Sequence, residues 1–117
     1  MSRTKPTAVL IEPKAHRRLS LVNTLRDDLD LSPMSTFDRA LRQIRMTRPD
    51  LVLIGLGWRT NPGLRLARQI KTDAGHSARV LLIDWPGRQP DPSPADGITP
   101  PRPTTEQVRA AVLDLLD

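Results

Sequence analysis

Three short apolar runs constrain the fold of this chain more than any other feature. Ala8-Val9-Leu10-Ile11, Leu51-Val52-Leu53-Ile54 and Val80-Leu81-Leu82-Ile83 are continuous and rich in β-branched residues and leucine. Such runs read as strands covered on both faces. Amphipathic helices are expected between them. The first covers residues 14–29, with Leu19, Val22, Leu25 and Leu29 inward and Leu21 on the flank. The second starts at Ser35-Thr36-Phe37-Asp38, which has capping-box spacing with Asp in place of Glu. It runs to about Thr47, with Phe37, Ala40, Leu41 and Ile44 inward. The third starts at Asn61-Pro62-Gly63 and runs to about Thr72, on Leu64, Leu66, Ala67 and Ile70. The last is capped by Thr104-Thr105-Glu106-Gln107 and turns Val108, Ala111, Val112 and Leu115 inward. Weaker strands are expected at 31–34, where Pro33 implies an edge, and at 96–99. Strands alternating with helices predict an α/β domain with a parallel sheet and helices on both faces.

After the run ending at Asp84 the alternation fails. Residues 85–95 contain Pro86, Gly87, Pro90, Pro92 and Pro94 and are expected to form a loop in place of a helix. A loop of that length inside a small domain is functional or mobile. Residues 1–6 are polar and are expected to be frayed. The 117 residues are expected to form one domain.

Composition excludes several chemistries. No cysteine is present, which removes disulfides, thiolate zinc sites and a cysteine nucleophile. His16 and His76 lack ligand spacing, and no cofactor or metal is expected. The longest apolar run, 51–58, is too short to span a bilayer. The amino terminus has too short an apolar block for a signal peptide, so a cytoplasmic location is expected. There is no glycine-rich phosphate loop after the first strand; Gly55-Leu56-Gly57 is only part of a dinucleotide fingerprint. A nucleophile elbow is absent too. The formal charge of +5 points toward nucleic acid or an acidic partner. Fifteen of the 18 basic residues are arginine, though, and proline is abundant, as a GC-rich coding sequence also produces.

With this order established, the chain resembles the receiver domain of bacterial response regulators, a flavodoxin-like fold. The resemblance covers nearly the whole chain. It rests on Ala8–Ile11 as the first strand and on Arg48-Pro49-Asp50-Leu51 leading into the third. Gly63 matches the glycine of the helix that follows. Val80–Ile83 resembles the fourth strand, and Asp96-Gly97 then Arg102-Pro103 resemble the approach to the family's Lys-Pro. The resemblance implies a doubly wound five-stranded parallel sheet of order 2-1-3-4-5, with the family's fourth helix replaced by the 85–95 loop.

Receivers accept a phosphoryl group on an aspartate ending the third strand. An acidic pair after the first strand holds Mg²⁺, a hydroxyl follows the fourth strand and a lysine follows the fifth. In this sequence Gly55 occupies the acceptor position and has no side chain to phosphorylate. The acidic pair is reduced to Glu12 before Pro13. Asp84 stands at the hydroxyl position, and Arg102 best matches the lysine. The resemblance therefore implies a degenerate, or pseudo-, receiver with no phosphoacceptor and no catalytic residue. It would be a phosphorylation-independent module binding a protein partner of a signalling or regulatory system. Whether it stands alone or begins a longer protein stays open.

Three groups are candidate sites. Glu12, Asp84 and Arg102 should meet at the carboxyl edge of the sheet, where ligands collect in open α/β folds. Arg102 either pairs with Asp84 there or the charges stay solvated; an enzyme site would need an enclosed pocket with more convergent polar groups. Trp58 and Trp85 follow adjacent strands. They either anchor a partner or plug the space above Gly55. Arg39, Arg42 and Arg45 on the second helix and Arg65, Arg68 and Lys71 on the third form a candidate basic surface. That surface would suit nucleic acid or another polyanion, or it is simply the solvated side of two amphipathic helices.

Overall fold

A computed structural model describes residues 5–73 and 78–117. His76 therefore lies outside the described residues, as do the first four positions of the expected frayed segment 1–6. Lys5 and Pro6 are tied down: the Lys5 ammonium donates to the Arg26 carbonyl and the Pro6 carbonyl accepts from Asp30 N–H.

The chain runs β1 (Thr7–Ile11), α1 (Ala15–Leu25), β2 (Asp30–Met34), α2 (Ala40–Thr47), β3 (Leu51–Gly55), α3 (Asn61–Thr72), β4 (Arg79–Ile83), β5 (Gly97–Ile98) and α4 (Thr105–Leu116). The five strands form one parallel sheet in the order β2-β1-β3-β4-β5. This is the doubly wound, flavodoxin-like architecture expected from the sequence. No helix lies between β4 and β5, so the proline-rich segment is a loop as expected.

Alternate residues of each central strand face opposite layers. Val9, Ile11, Val52, Ile54, Val80 and Leu82 pack beneath α2 and α3. Ala8, Leu10, Leu51, Leu53, Leu81 and Ile83 pack beneath α1 and α4. Every side chain of β3 is buried, which places the end of this strand, Gly55, at the middle of the carboxyl edge. β2 pairs only with β1, so Pro33 sits on an edge strand, where a missing N–H interrupts no ladder.

Two helices begin or pack differently from the periodicity. α1 ends at Leu25, and the N–H groups of Asp28 and Leu29 both return to the Leu25 carbonyl. Its buried pair is Leu21 and Leu25, one turn apart, with Leu29 buried beyond the helix. Leu19 is two residues from Leu21 and so faces away, 63% exposed. α2 starts at Ala40 without a side-chain cap, so the Ser35–Asp38 capping box does not form. A turn from the Phe37 carbonyl to Ala40 N–H precedes it, and Phe37 packs on the core from that turn.

α4 starts as expected. Thr104 Oγ1 accepts from Gln107 N–H at 3.1 Å, and Gln107 returns a bond from Thr104 N–H at 2.9 Å. Among the described residues no helix is long and apolar enough to cross a membrane.

The fifth strand is held by one carboxylate. Asp96 Oδ2 accepts from Lys71 Nζ at 2.9 Å and from Val80 N–H at 2.8 Å, joining α3, β4 and the start of β5. Burial pushes the Asp96 carboxyl up, but these bonds and the Lys71 charge more than offset it and hold it below the ordinary value of 3.8. A group whose folded value is depressed contributes stability above its unfolded value and loses it as pH falls through the folded one. Asp96→Asn should therefore be less stable than wild type near neutrality. The gap should close below about pH 4, measured by urea unfolding across pH.

Candidate functional site

At the carboxyl edge, the space beside Gly55 is filled. A Cβ built on Gly55 would overlap Glu12 Oε1 outright, lie 2.9 Å from Glu12 Cδ and lie 3.3 Å from Trp85 Nε1. The Glu12 side chain thus takes the position that a side chain on residue 55 would need. Glycine here makes room for the Glu12 tip, and its backbone angles are not the reason for it.

Glu12 reaches this place because β1 and β3 are paired in register, Ile11 against Ile54. The next residue of each strand then lies side by side. Glu12 is only 2% exposed. Its Oε1 accepts from Trp85 Nε1 at 2.6 Å and its Oε2 from Lys14 N–H at 3.0 Å. Both oxygens are therefore engaged, as a buried carboxyl requires. The Glu12 carbonyl accepts from Arg18 at 2.8 Å. Trp85 packs its ring on the layer under α1 and α4, and the Arg17 guanidinium lies 4.9 Å from the ring centroid.

Asp84 is fully buried and serves the loop that replaces the missing helix. Its Oδ1 accepts from Gly87 N–H at 3.1 Å and Arg88 N–H at 3.0 Å, and its Oδ2 from Gln89 N–H at 3.0 Å. Gly87, at φ 73°, supplies the left-handed turn that points these amides at one carboxylate. The Asp84 main chain is also fixed. Its N–H donates to Thr99 Oγ1 at 2.9 Å and its carbonyl accepts from Arg102 N–H at 2.8 Å.

Of the two alternatives for Asp84 and Arg102, the ion pair is not formed, and the Asp84 carboxylate is not solvated either. Asp84 spends its oxygens on three loop amides, while Arg102 meets it only through the backbone. The Arg102 side chain lies along Gly87, within about 3 Å of where a Cβ would stand. Glu12, Asp84 and Arg102 do share one edge, but each is engaged separately.

The two tryptophans also separate. Trp85 plugs the space at Gly55. Trp58 is 72% exposed and carries the Arg88 guanidinium 4.7 Å from its ring centroid. The six basic candidates divide likewise. Arg45 Nε bonds Asp73 at 2.7 Å and Lys71 bonds Asp96 at 2.9 Å, so two of the six serve ion pairs. Arg39, Arg42, Arg65 and Arg68 remain without such partners among the described residues. His16 is exposed on α1. No cluster of three or more metal-ligating His, Asp or Glu side chains occurs among the described residues.

Two features of this edge escaped sequence reasoning. The Glu12–Trp85 bond spans 73 residues, and no local pattern announces it. The Asp84 turn did leave a trace, since Asp84-Trp85-Pro86-Gly87 has the residue types of an aspartate-initiated turn.

No protein-family model matches the sequence, and no curated protein does. Solved structures match throughout. The chemotaxis response regulator CheY4 of Vibrio cholerae aligns with a TM-score of 0.81 at 12% identity, covering 96% of this chain and 99% of that one. The signal receiver domain of the response regulator NarL from Mycobacterium tuberculosis gives 0.79 at 21% identity, covering 97% of both. The receiver domain of a signal transduction histidine kinase from Syntrophus aciditrophicus gives 0.78 at 19%, covering 95% and 89%. The chain has the fold of these receiver domains.

Proposed function

We propose that this chain is a degenerate receiver that acts without phosphorylation, as a cytoplasmic protein–protein interaction or regulatory module in bacterial signal transduction. It has no catalytic role of its own. The observation that carries this reading is the Glu12 carboxylate, seated against Gly55 and bonded to Trp85 where an acceptor side chain would stand.

Phosphoryl transfer needs an open nucleophile and a bound cation to neutralise the phosphate oxygens. Gly55 offers no nucleophile. Glu12 is a poor substitute, because it is buried and both its oxygens already accept hydrogen bonds. Asp84 is committed to the loop, so the residue at the hydroxyl position has no freedom to turn toward a phosphate. With these groups held, regulation falls to partner binding or abundance. The alternative, a polyanion-binding face on α2 and α3, is weakened by the pairing of Arg45 and Lys71 with carboxylates.

Incubation with acetyl phosphate and Mg²⁺, followed by intact-mass measurement, tests the reading. The expected result is no mass gain, with a phosphorylatable receiver as the positive control. Stoichiometric gain of one phosphoryl group, labile to hydroxylamine, would overturn it.

A further inference from the structure

We infer that the cleft between Trp58 and the start of α3 is the partner-reading site, and that it takes an acidic protein segment. This rests on the reading of the chain as a protein-contact module and adds the chemistry of the partner.

The cleft has a volume of ≈ 510 Å³ and is lined by Trp58, Arg59, Asn61, Arg65 and Arg88 among others. Three of these are arginines, and none makes an ion pair among the described residues. No carboxylate lines the cleft. Arg45 and Lys71, in the last turns of α2 and α3, are by contrast already neutralised. A concave site walled by one sign of charge favours an anion. Guanidinium forks bind carboxylates in two-bond geometry.

The cleft is also built rather than incidental. Arg88 belongs to the loop that replaces the missing helix, and its own N–H is held by buried Asp84. That anchor positions the Arg88 side chain against Trp58. Tryptophan and arginine together are the side chains most enriched at binding hot spots. An indole 72% exposed on a chain with only three aromatics supplies the apolar half of a contact.

A protein segment fits better than a nucleic acid. Single-stranded nucleic acid is held by successive stacking platforms along a basic groove. This cleft has one aromatic, and Arg88 already lies over its ring. An acidic segment with an apolar residue beside its carboxylates would engage the arginines and the free part of the indole together.

The test uses the full chain and a fluorescein-labelled peptide of alternating glutamate and leucine, read by anisotropy. Arg65→Glu/Arg88→Glu and Trp58→Ala should each weaken binding about tenfold or more. Arg39→Glu/Arg42→Glu, at the start of α2 and outside the cleft, should change it by no more than about twofold. Each variant is checked for folding by circular dichroism, and Arg65→Gln alone serves as the milder substitution that leaves the loop intact. Equal loss in the α2 variant, or no binding by wild type, would overturn the inference. So would an oligothymidylate that displaces the peptide and itself depends on the cleft arginines. Phosphoryl transfer to the chain would instead overturn its reading as a phosphorylation-independent contact module. A peptide that ignores the cleft variants, in a chain that takes no phosphoryl group, would overturn this inference alone.

Discussion

Gly55→Ala is expected to lower stability by about 2 kcal/mol, although it adds a single methyl group to a strand. The new Cβ overlaps Glu12 Oε1, so the carboxyl must leave its place. The glutamate tip is flexible in principle. Its displacement nevertheless breaks the bonds from half-buried Trp85 Nε1 and from Lys14 N–H and costs the nearly buried carboxyl both of its partners. The cost is that of the lost bonds rather than of the methyl group itself. Glu12→Ala alone should cost a similar amount by removing the same two bonds. In the double variant the two losses are not additive, because the methyl at position 55 enters space that Glu12 has vacated. Urea unfolding of the four proteins should give a favourable coupling of about 1–2 kcal/mol. Gly55→Asp should be worse than alanine, because it brings two carboxylates into one volume. On the proposed reading, an aspartate placed at position 55 alone is therefore expected to give no phosphorylatable site.

Asp84→Ala is expected to cost about 3 kcal/mol and to loosen the 85–95 loop. The carboxylate satisfies three backbone amides from a fully buried position. Removing it takes the carboxylate acceptors from Arg88 and Gln89 N–H, while Gly87 N–H keeps the Asp84 main-chain carbonyl at 3.1 Å. Amide hydrogen exchange at Arg88 and Gln89 should accelerate sharply, Gly87 less so, while the central strands exchange as before. Asp84→Asn keeps one acceptor oxygen and should lie between the two. Arg102→Ala should cost much less than Asp84→Ala, because Arg102 meets Asp84 through its backbone N–H, which the substitution keeps.

The sheet was legible because its signals are local. Continuous apolar runs at Ala8–Ile11, 51–54 and 80–83 identify buried strands, and proline density in 85–95 excludes a helix. Helix boundaries were less legible. Periodicity alone admits two stripes on α1, and only packing chooses Leu21 over Leu19. The Ser35–Asp38 spacing suits a cap, yet Phe37 packs on the core from a turn, and α2 starts after it.

At the carboxyl edge the sequence identified the right residues without their contacts. Gly55, Glu12 and Asp84 stood out because each departs from the receiver pattern. The partners depended on which long-range pairs the sheet brings together. Glu12 finds Trp85 across three strands, and Asp84 turns to its own loop instead of to Arg102. Trp58 and Trp85 looked equivalent in sequence, one after each strand. They differ because Trp85 follows β4 directly beside Glu12, whereas Trp58 lies two residues beyond Leu56, the last buried residue after β3.

The most direct test of the central claim is an NMR titration of the full chain with beryllofluoride and Mg²⁺, watching the Trp85 indole N–H. That proton is donated to Glu12 beside Gly55, so it reports on the acceptor position itself. A slowly exchanging indole resonance that does not move with the phosphoryl mimic is the expected result. Glu12→Ala should accelerate the exchange. A saturable shift of that resonance in wild type, dependent on both beryllofluoride and Mg²⁺, would contradict the central claim.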